Sequence, residues 1–460
     1  MKFLISATIS IIFAIANSTT FAGESGANLP ITPEELSQKL KSFKAFEEVT
    51  NDKNQSISAS EVKMELLQTP HKPTDLARGL SISGIPTRLQ SKRLSENSSG
   101  SFDMQGYADQ PQPRWLLSLD GGGIRGLMQL QIIAEIERLT KKSIIELFDG
   151  ISGTSVGGII ACVLTMPDPL NPGKPKYTAQ DLLDIFCKRK KDLFESKWQS
   201  CGGLFGTRYK TKSIRNLLKD ILQDNKFSDR LLPTVLVSHN LITNEEQLLS
   251  TTDSEDFYAW NVALATASAP TYFKPQRIFP IDAHPSHRGY VLSDGGTCMN
   301  NPTMAGIALI HDVYQVDPDD LNVLSLGTGT SGTTQLNKSL LSGGILSWGV
   351  TIADTCIAGQ ASSTNKLAEL YCKNRYHRLN PVLDQRNLSL DDISESNQEV
   401  LFTASIQCIK ENREEIDEVI TSLIDSYKRK KHKKRIRFEM ADRTSDQNFS
   451  SRESQFSKDR

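Results

Sequence analysis

The chain has 460 residues, of which 38% are hydrophobic and 23% are charged, and its formal net charge is −1 at pH 7. This composition is typical of a soluble globular protein, with room for one large domain and its extensions or for two domains. The near balance of charges excludes an overall attraction to nucleic acid or to a membrane, so any such attraction must come from local clusters.

The first 22 residues have the pattern of a secretory signal peptide. Lys2 is followed by a mostly apolar run over residues 3–16 and by a small-residue cleavage pattern that ends at Ala22. The apolar run is shorter than the ~20 residues that a membrane-spanning helix needs. We therefore expect a protein that is secreted through residues 1–22 and that acts at a membrane surface or in another cell.

The cysteines point to a different environment from the signal peptide. The chain has seven, and they are scattered without paired spacing. This pattern disfavours both a disulfide framework and a zinc site, and we expect no metal or other cofactor. A final compartment that is reducing, such as the cytosol of another cell, would reconcile the cysteines with export.

Residues 23–90 predict a small helical region that contains a calcium-loop-like stretch. Residues 46–61 can be aligned with an EF-hand loop in which Asp52, Asn54 and Glu61 take ligand positions. The first loop position lacks a carboxylate, and the sixth, which requires glycine for a sharp turn, is Gln55. We interpret the stretch as a degenerate loop or a plain helical hairpin.

A polar linker over residues 91–114 leads into the first of three glycine-rich motifs. An apolar run at 115–119 is followed by D-G-G-G-I-R-G at 120–126 and then by apolar residues at helical spacing. This order predicts a strand, a tight turn and a helix. The backbone N–H groups of Gly121, Gly122 and Gly123 would lie at a helix N-terminus, where negative charge is favoured, and could hold an oxyanion.

The second motif follows about thirty residues later and repeats this strand–turn–helix order. It reads G-T-S-V-G at 153–157, which matches the G-x-S-x-G elbow that exposes a serine hydroxyl at a sheet edge. Ser155 is then a candidate nucleophile, and Gly153 and Gly157 are required because side chains there would collide with the elbow's own backbone. The alternative is a plain tight turn, since short glycine–serine motifs arise by chance.

A dinucleotide site is a further alternative for the first motif. Gly121, Gly123 and Gly126 satisfy G-x-G-x-x-G, and Asp149 lies 23 residues past Gly126. Asp149 falls near the start of its strand, however, whereas a ribose ligand belongs at the end of one.

The third motif places an acid next to the candidate serine. An apolar run at 290–293 ends in Asp294, Gly295 and Gly296. If this run is also a strand, Asp294 lies at its carboxyl end, on the same rim of the sheet as Ser155.

These three motifs, in this order, resemble the patatin-like phospholipase family. Similar supporting stretches occur at 263–275 and 324–329, and the resemblance covers about 115–379. It implies an α/β fold with a mainly parallel sheet flanked by helices. It also implies a lipid acyl hydrolase of the phospholipase A or lysophospholipase type. The implied catalytic residues are a Ser155–Asp294 dyad that forms an acyl-serine intermediate, with Arg125 beside the oxyanion glycines.

The histidines offer the alternative of a Ser-His-Asp triad. In an elbow hydrolase the histidine would follow the acid. His311 and His377 do follow Asp294, but neither lies beside glycines at a strand end.

A protein that binds lipid without turning it over is the main alternative to an enzyme. An activating protein partner is a further expectation.

Four prolines at 166–176 predict a loop there. The hydrophobic periodicity predicts amphipathic segments at 179–190 and 212–223. The apolar stripe of the second segment would pack on the core or cover an acyl pocket. Further strands are predicted at 233–240, 247–251 and 321–326, and helices at 256–267, 347–371 and 398–427. The predicted divisions are a catalytic domain at 115–380, a C-terminal helical region at 381–427 and a basic, disordered tail at 428–460.

The tail carries eight Lys or Arg in the ten residues from Lys428 to Arg437. Three interpretations remain open: a solvated end, attraction to anionic lipid and a nuclear-localisation signal. The run has no interleaved aromatic residues, so we predict no nucleic-acid site there.

Overall fold

The computed structural model describes residues 113–196, 206–331, 352–384 and 389–456. All of them belong to one compact unit, residues 102–460. The predicted signal peptide, the helical N-terminal region with its calcium-loop-like stretch and nearly all of the predicted linker lie outside the described residues.

A mixed sheet forms the centre of the described part, in the strand order β11-β9-β1-β2-β5-β8-β7, with β6 also paired to β5. The strands are β1 Arg114–Leu119, β2 Gly150–Thr154, β3 Pro167–Asp168, β4 Asn171–Pro175, β5 Thr234–Asn240, β6 Glu245–Ser250, β7 Gln276–Ile278, β8 Tyr290–Asp294, β9 Leu321–Leu326, β10 Thr330–Ser331, β11 Tyr376–Leu379 and β12 Val382–Leu383. Strands β11, β9, β1, β2 and β5 run parallel, whereas β6, β7 and β8 pair antiparallel.

Helices flank this sheet, which confirms the predicted α/β class with a mainly parallel sheet. They are α1 Gly126–Thr140, α2 Ile144–Leu147, α3 Val156–Leu164, α4 Ala179–Leu193, α5 Thr211–Leu222, α6 Ala259–Thr266, α7 Thr303–Tyr314, α8 Ile352–Cys372, α9 Glu395–Glu411 and α10 Arg413–Phe456. None of the helices in the described ranges is long and apolar enough to cross a membrane.

Strand β1 is apolar almost throughout because both of its faces are covered. Leu117 and Leu119 pack in the large cluster with α1 and α3. Leu116 packs on the opposite face, with Ile307 and Ile310 of α7. Side chains on the two faces of β1 therefore pack into two separate core layers, one on each side of the sheet.

The two amphipathic segments that follow the elbow are helices α4 and α5, and the structure favours packing over a separate lid. Thr178 caps α4: its hydroxyl accepts a hydrogen bond from the Asp181 amide while the Asp181 carboxylate accepts from the Thr178 amide. This reciprocal pair satisfies two amide donors at the helix start. The apolar stripe of α5 is buried at Ile214, Leu217, Leu218, Ile221 and Leu222.

Three local predictions are wrong. The expected loop at 166–176 contains the antiparallel hairpin β3–β4. The single helix predicted over 398–427 is instead two helices, because α9 ends at Glu411 and α10 begins at Arg413. The expected disordered tail continues α10 as far as Phe456.

The basic run is helical because it is anchored to the folded core. Lys430 Nζ lies 2.9 Å from Asp149 Oδ2 and donates to the Leu147 carbonyl oxygen at 3.2 Å. Lysine and arginine also have high intrinsic helix propensity.

Candidate active site

The candidate nucleophile lies at a sharp turn between β2 and α3. Ser155 has φ 54° and ψ −124°, a backbone conformation that residues other than glycine rarely adopt. Its amide donates to Thr266 Oγ1 at 3.0 Å, which fixes the turn. A Cβ at Gly153 would lie 2.6 Å from the backbone of Gly157 and Gly158. The elbow itself therefore requires glycine at position 153.

The other motif glycine is required by a neighbouring strand. A Cβ at Gly157 would collide with the carbonyl oxygen of Leu119 at the end of β1. The expectation that both glycines avoid the elbow's own backbone is thus correct for Gly153 alone.

Asp294 reaches the same rim by a route that the sequence did not indicate. Thr154 pairs with Val237 of β5, and β5 continues beyond that level to Asn240. Strand β8 runs antiparallel along this extension, so that its last residue, Asp294, pairs with Ser238. The acid therefore returns to the level of Ser155 from beyond the rim.

Ser155 and Asp294 are in direct contact. The Ser155 hydroxyl donates to Asp294 Oδ2 at 2.7 Å, and the Gly296 amide donates to Asp294 Oδ1 at 2.7 Å. Burial raises the pKa of Asp294 to about 6, although the hydrogen bonds from Ser155 and Gly296 act in the opposite direction. Gly295 is required because a Cβ there would collide with the Val237 carbonyl oxygen of β5.

The glycine loop offers fewer free amides than predicted. The Gly121 amide donates to the Asn300 carbonyl oxygen at 3.0 Å, and the Ile124 amide donates to the Leu390 carbonyl oxygen at 2.9 Å. Within the described residues the Gly122 and Gly123 amides have no acceptor. The candidate oxyanion donors are therefore Gly122 and Gly123, and Gly121 holds the loop in place.

Arg125 follows the glycines on a short 3-10 turn, Gly123–Arg125, and lines the central cavity. Its Nε lies 3.4 Å from the Gly122 carbonyl oxygen. Burial lowers the pKa of its guanidinium to about 10. The group therefore still carries a positive charge at neutral pH.

A buried ion pair below the loop involves a residue that sequence reasoning missed. Arg378 of β11 donates to both carboxylate oxygens of Asp120, at 2.9 and 2.5 Å, and to Ser325 Oγ at 2.7 Å. Two parallel bonds of this kind fix orientation as well as distance. No motif marks Arg378, because its partner lies 258 residues away.

A second anchor comes from the segment before α9. Leu390 supplies the carbonyl oxygen that holds Ile124, and the next residue, Asp391, is buried. Asp391 accepts a hydrogen bond from the Tyr209 hydroxyl at 2.5 Å and pairs with Arg208 at 2.7 Å. These three residues, Arg208, Tyr209 and Asp391, are called the loop anchor below.

A cavity of about 620 Å³ opens at Ser155 and Asp294. Apolar side chains from α3, α4, α5 and the segment after α6 form one side of it, and α8 forms another. Representative lining residues are Ile159, Phe186, Phe194, Ile214, Phe273, Ile357 and Ala361. The cavity thus presents apolar surface directly beside a hydroxyl–carboxyl pair.

The alternative chemistries find no support in this geometry. His377 stacks on Trp115 and contacts Glu415 at 3.1 Å, and His311 lies at the exposed end of α7. Neither histidine lines the cavity. Asp149, the ribose ligand of the dinucleotide hypothesis, is held instead by Lys430 and by Arg114 at 3.0 Å.

Comparisons with known proteins found several relatives of this chain. The sequence model described as patatin-like phospholipase matches residues 117–307. The chain is 31% identical over 255 residues to the cGAMP-activated phospholipase of Escherichia coli (strain TW11681), covering 51% of this chain and 67% of that protein. It is 29% identical over 317 residues to probable inactive patatin-like protein 9 of Arabidopsis thaliana, covering 63% and 77%. It is 25% identical over 331 residues to Patatin-T5 of Solanum tuberosum, covering 65% and 84%.

The chain therefore belongs to the patatin-like phospholipase family, as the three motifs indicated. This is a family of lipid acyl hydrolases, and the comparisons support lipid hydrolysis as the general activity of the chain.

Proposed function

We propose that this protein cleaves acyl esters of phospholipids or lysophospholipids, with Ser155 as nucleophile and Asp294 as general base. The observation that carries the proposal is the 2.7 Å hydrogen bond between these two side chains, at an apolar cavity of about 620 Å³. Such a cavity suits an acyl chain, whose ester carbonyl would then lie beside the hydroxyl.

In the first half-reaction, Ser155 Oγ attacks the ester carbonyl carbon while its proton passes to Asp294 Oδ2. The amides of Gly122 and Gly123 stabilise the oxyanion, and the positively charged Arg125 lines the same cavity. Collapse of the intermediate breaks the bond to the alcohol oxygen, which takes the proton from Asp294. The acyl group remains on Ser155.

In the second half-reaction, water attacks the acyl-serine and gives its proton to Asp294. Collapse releases the fatty acid and returns the proton to Ser155. A carboxylate is an effective base here because its pKa, about 6, lies closer to neutral pH than that of an exposed aspartate.

The second candidate function is lipid binding without turnover. One relative is named as a probable inactive protein, which keeps this candidate in view. Against it, Ser155 and Asp294 are both present here and are hydrogen-bonded.

Activation by another molecule is part of the proposal, because one relative is named as a cGAMP-activated phospholipase. Export through residues 1–22 is also part of it, and N-terminal sequencing of the secreted protein would test whether cleavage follows Ala22.

The test of the proposed function compares the wild type with Ser155→Ala, Asp294→Asn and the double variant. Fatty-acid release is measured from a phospholipid panel, from lysophospholipid and from a dispersed short-chain ester, with and without cell extract. We expect each single variant to lose at least roughly 10³-fold in turnover and the double variant to be no worse, because groups that act as one unit are non-additive.

His377→Gln and His311→Gln serve as controls for the alternative base, and both should keep wild-type turnover. A fully active Asp294→Asn variant together with an inactive histidine variant would overturn the assignment. An inactive wild type on every substrate, even with extract, would favour the lipid-binding candidate.

A further inference from the structure

A group of basic side chains lines a shallow surface cavity of about 520 Å³, separate from the acyl cavity. We call this group the basic patch. It consists of Lys210, Lys212, Arg215, Lys274 and Arg277. None of the described residues that line this cavity is acidic.

Most of this positive charge is uncompensated. Lys210 pairs with Glu195, but the other four residues make no ion pair with any part of the chain that the structure describes. Arg215 donates to the Gln276 side-chain oxygen at 3.0 Å, and Arg277 donates to a backbone oxygen at 2.8 Å. Lys212 and Lys274 are exposed. The patch therefore presents several cations directly to solvent.

The basic patch is continuous with the wall of the acyl cavity. Ile214 lies between Lys212 and Arg215 in the chain, and Phe273 directly precedes Lys274; both Ile214 and Phe273 line the acyl cavity. The Lys274 amide donates to Thr211 Oγ1 at 3.2 Å, which ties the two segments together. One side of these segments thus faces the site while the other carries the cations.

Strand register places the patch on the Ser155 side of the sheet. Gln276 of β7 pairs antiparallel with Leu292 of β8. Lys274 lies two residues before Gln276, and Asp294 lies two residues after Leu292, so the same register brings Lys274 to the level of Asp294.

The basic run at 428–437 lies at the opposite edge. Its Lys430 binds Asp149, which precedes the first residue of β2, whereas Ser155 follows the last. Strand β2 has five residues and spans roughly 15 Å. A membrane in contact with the basic run would therefore face the edge away from the candidate nucleophile.

We propose that the basic patch, and not the basic run, is the surface that docks on anionic phospholipid headgroups. This inference rests on the proposed function, since it explains how an acyl chain would reach Ser155 from a bilayer. Lysine and arginine side chains near an acidic membrane surface are attracted to its phosphate groups. The exposed ring of Phe279 follows β7 directly and adds an apolar contact beside Arg277.

The test uses full-length protein in the Ser155→Ala background, so that binding is measured without turnover. The patch variant carries Lys212→Gln and Lys274→Gln, and the matched control carries Lys428→Gln and Lys431→Gln in the basic run. Co-sedimentation is measured with vesicles of phosphatidylcholine alone and of phosphatidylcholine mixed with phosphatidylglycerol, at low and at physiological salt.

We expect the patch variant to bind acidic vesicles about 25-fold more weakly at low salt, about fivefold for each lysine. The loss should shrink as salt rises, because screening shortens the range of surface charges. The control should bind like its parent. With Ser155 restored, the ratio of turnover on acidic vesicles to turnover of the dispersed ester should fall in the patch variant.

Equal binding of patch variant and parent to acidic vesicles would overturn the proposal, and a loss confined to the control would transfer the docking surface to the basic run. Inorganic phosphate is added at matched ionic strength as a further arm. Displacement by phosphate itself would indicate a site for a soluble phosphate ligand instead of a bilayer. Because the binding assay uses an inactive variant, failure of the proposed hydrolysis would not alter its result.

Discussion

At the scale of single residues, one buried carboxyl group sets the pH range of the proposed reaction. Asp294 must be ionised to accept the proton of Ser155, and burial raises its pKa to about 6. We therefore expect kcat/KM for the dispersed ester to fall below about pH 6 as Asp294 becomes protonated. A pH–rate profile checks this. A profile that stays flat down to pH 4 would contradict the raised pKa.

The same shift predicts how Asp294 affects stability. Its pKa is about 6 in the folded protein and 3.8 ordinarily, so the native state holds this proton more tightly than the unfolded chain does. The resulting stabilisation is complete below about pH 4 and is lost as the pH rises through about 6. Asp294→Asn cannot ionise and should be more stable than the wild type at pH 7.5. The expected gain in the free energy of unfolding is on the order of 1.4 kcal/mol for each unit that separates the folded and the ordinary pKa of Asp294.

Chemical unfolding of wild type and Asp294→Asn at pH 4 and pH 7.5 measures this difference. Ser155→Ala is the control because it keeps the ionisable group. If the difference in the free energy of unfolding between Asp294→Asn and wild type were the same at both pH values, ionisation of Asp294 would not destabilise the folded protein.

Gly122 gives a further residue-scale prediction. A Cβ there would collide with the side chain of Thr328, so Gly122→Ala should move a candidate oxyanion amide and lower turnover by on the order of 10²-fold. Gly359→Ala in α8 is a matched control, because a Cβ there meets nothing. Wild-type turnover by Gly122→Ala would remove this amide from the mechanism.

The stability of Gly122→Ala tests the burial of this turn. A turn between a strand and a helix usually lies at the surface and tolerates a side chain, but Gly121 and Gly122 are buried. Overpacking of a buried site typically costs 1–3 kcal/mol, so a loss of roughly that size should accompany the loss of turnover. The motifs identified Ser155, Asp294 and the glycines. They could not identify the loop contacts made by Asn300 and Thr328, although Thr328 lies in the supporting stretch 324–329, and no motif marks Leu390.

At the scale of elements, the loop anchor connects the C-terminal part of the chain to the oxyanion loop. Asp391 holds Tyr209 and Arg208, and the neighbouring Leu390 holds Ile124. Asp391 is thus a positioning residue. Asp391→Asn should lower kcat for the dispersed ester by roughly 10-fold to 100-fold, with a smaller effect on KM, because displaced donors chiefly weaken stabilisation of the transition state.

Tyr209→Phe, which removes one hydrogen bond and keeps the ring packing, should show a smaller loss of kcat. Glu399→Gln on the exposed face of α9 is the control. Changes in KM alone, or in thermal stability alone, would assign Asp391 a structural role instead.

Element-scale reasoning from the sequence succeeded where hydrophobic periodicity was strong. Strands β1, β5 and β9 and helices α4 and α5 were predicted close to their observed bounds, and β2, α1 and α3 were predicted in their observed order. The position of Asp294 was predicted on the assumption of parallel strands, whereas β8 is antiparallel. Asp294 still reaches the rim because β5 extends past it and β8 returns along this extension. The hydrophobic pattern of one strand does not reveal the direction in which that strand pairs.

At the scale of the whole molecule, Lys430 joins the C-terminal helix to the amino edge of the sheet. It binds the buried Asp149 and the Leu147 carbonyl oxygen. Lys430→Ala should therefore lower the free energy of unfolding by about 1–2 kcal/mol, since a charged hydrogen bond is lost while Arg114 still pairs with Asp149. Denaturant unfolding measures this.

Lys431→Ala provides the control, because its side chain is exposed and surface substitutions are usually within ±0.5 kcal/mol. Equal losses in the two variants would mean that the run contributes through its helix and not through one anchor. The sequence could not separate these lysines, since the difference between them depends on a partner nearly three hundred residues away.

The order of the chain has a consequence for fragments and for synthesis. Ser155 and Asp294 both fall within the family match at 117–307, but β9, which covers one edge of β1, comes later, at Leu321–Leu326. Arg378 and Leu390, which hold the glycine loop, come later still. A chain emerging from the ribosome thus completes its reactive pair well before the contacts that position its oxyanion donors. We therefore expect no turnover from the segment with the family motifs alone, and turnover only from a chain that includes Arg378 and Leu390.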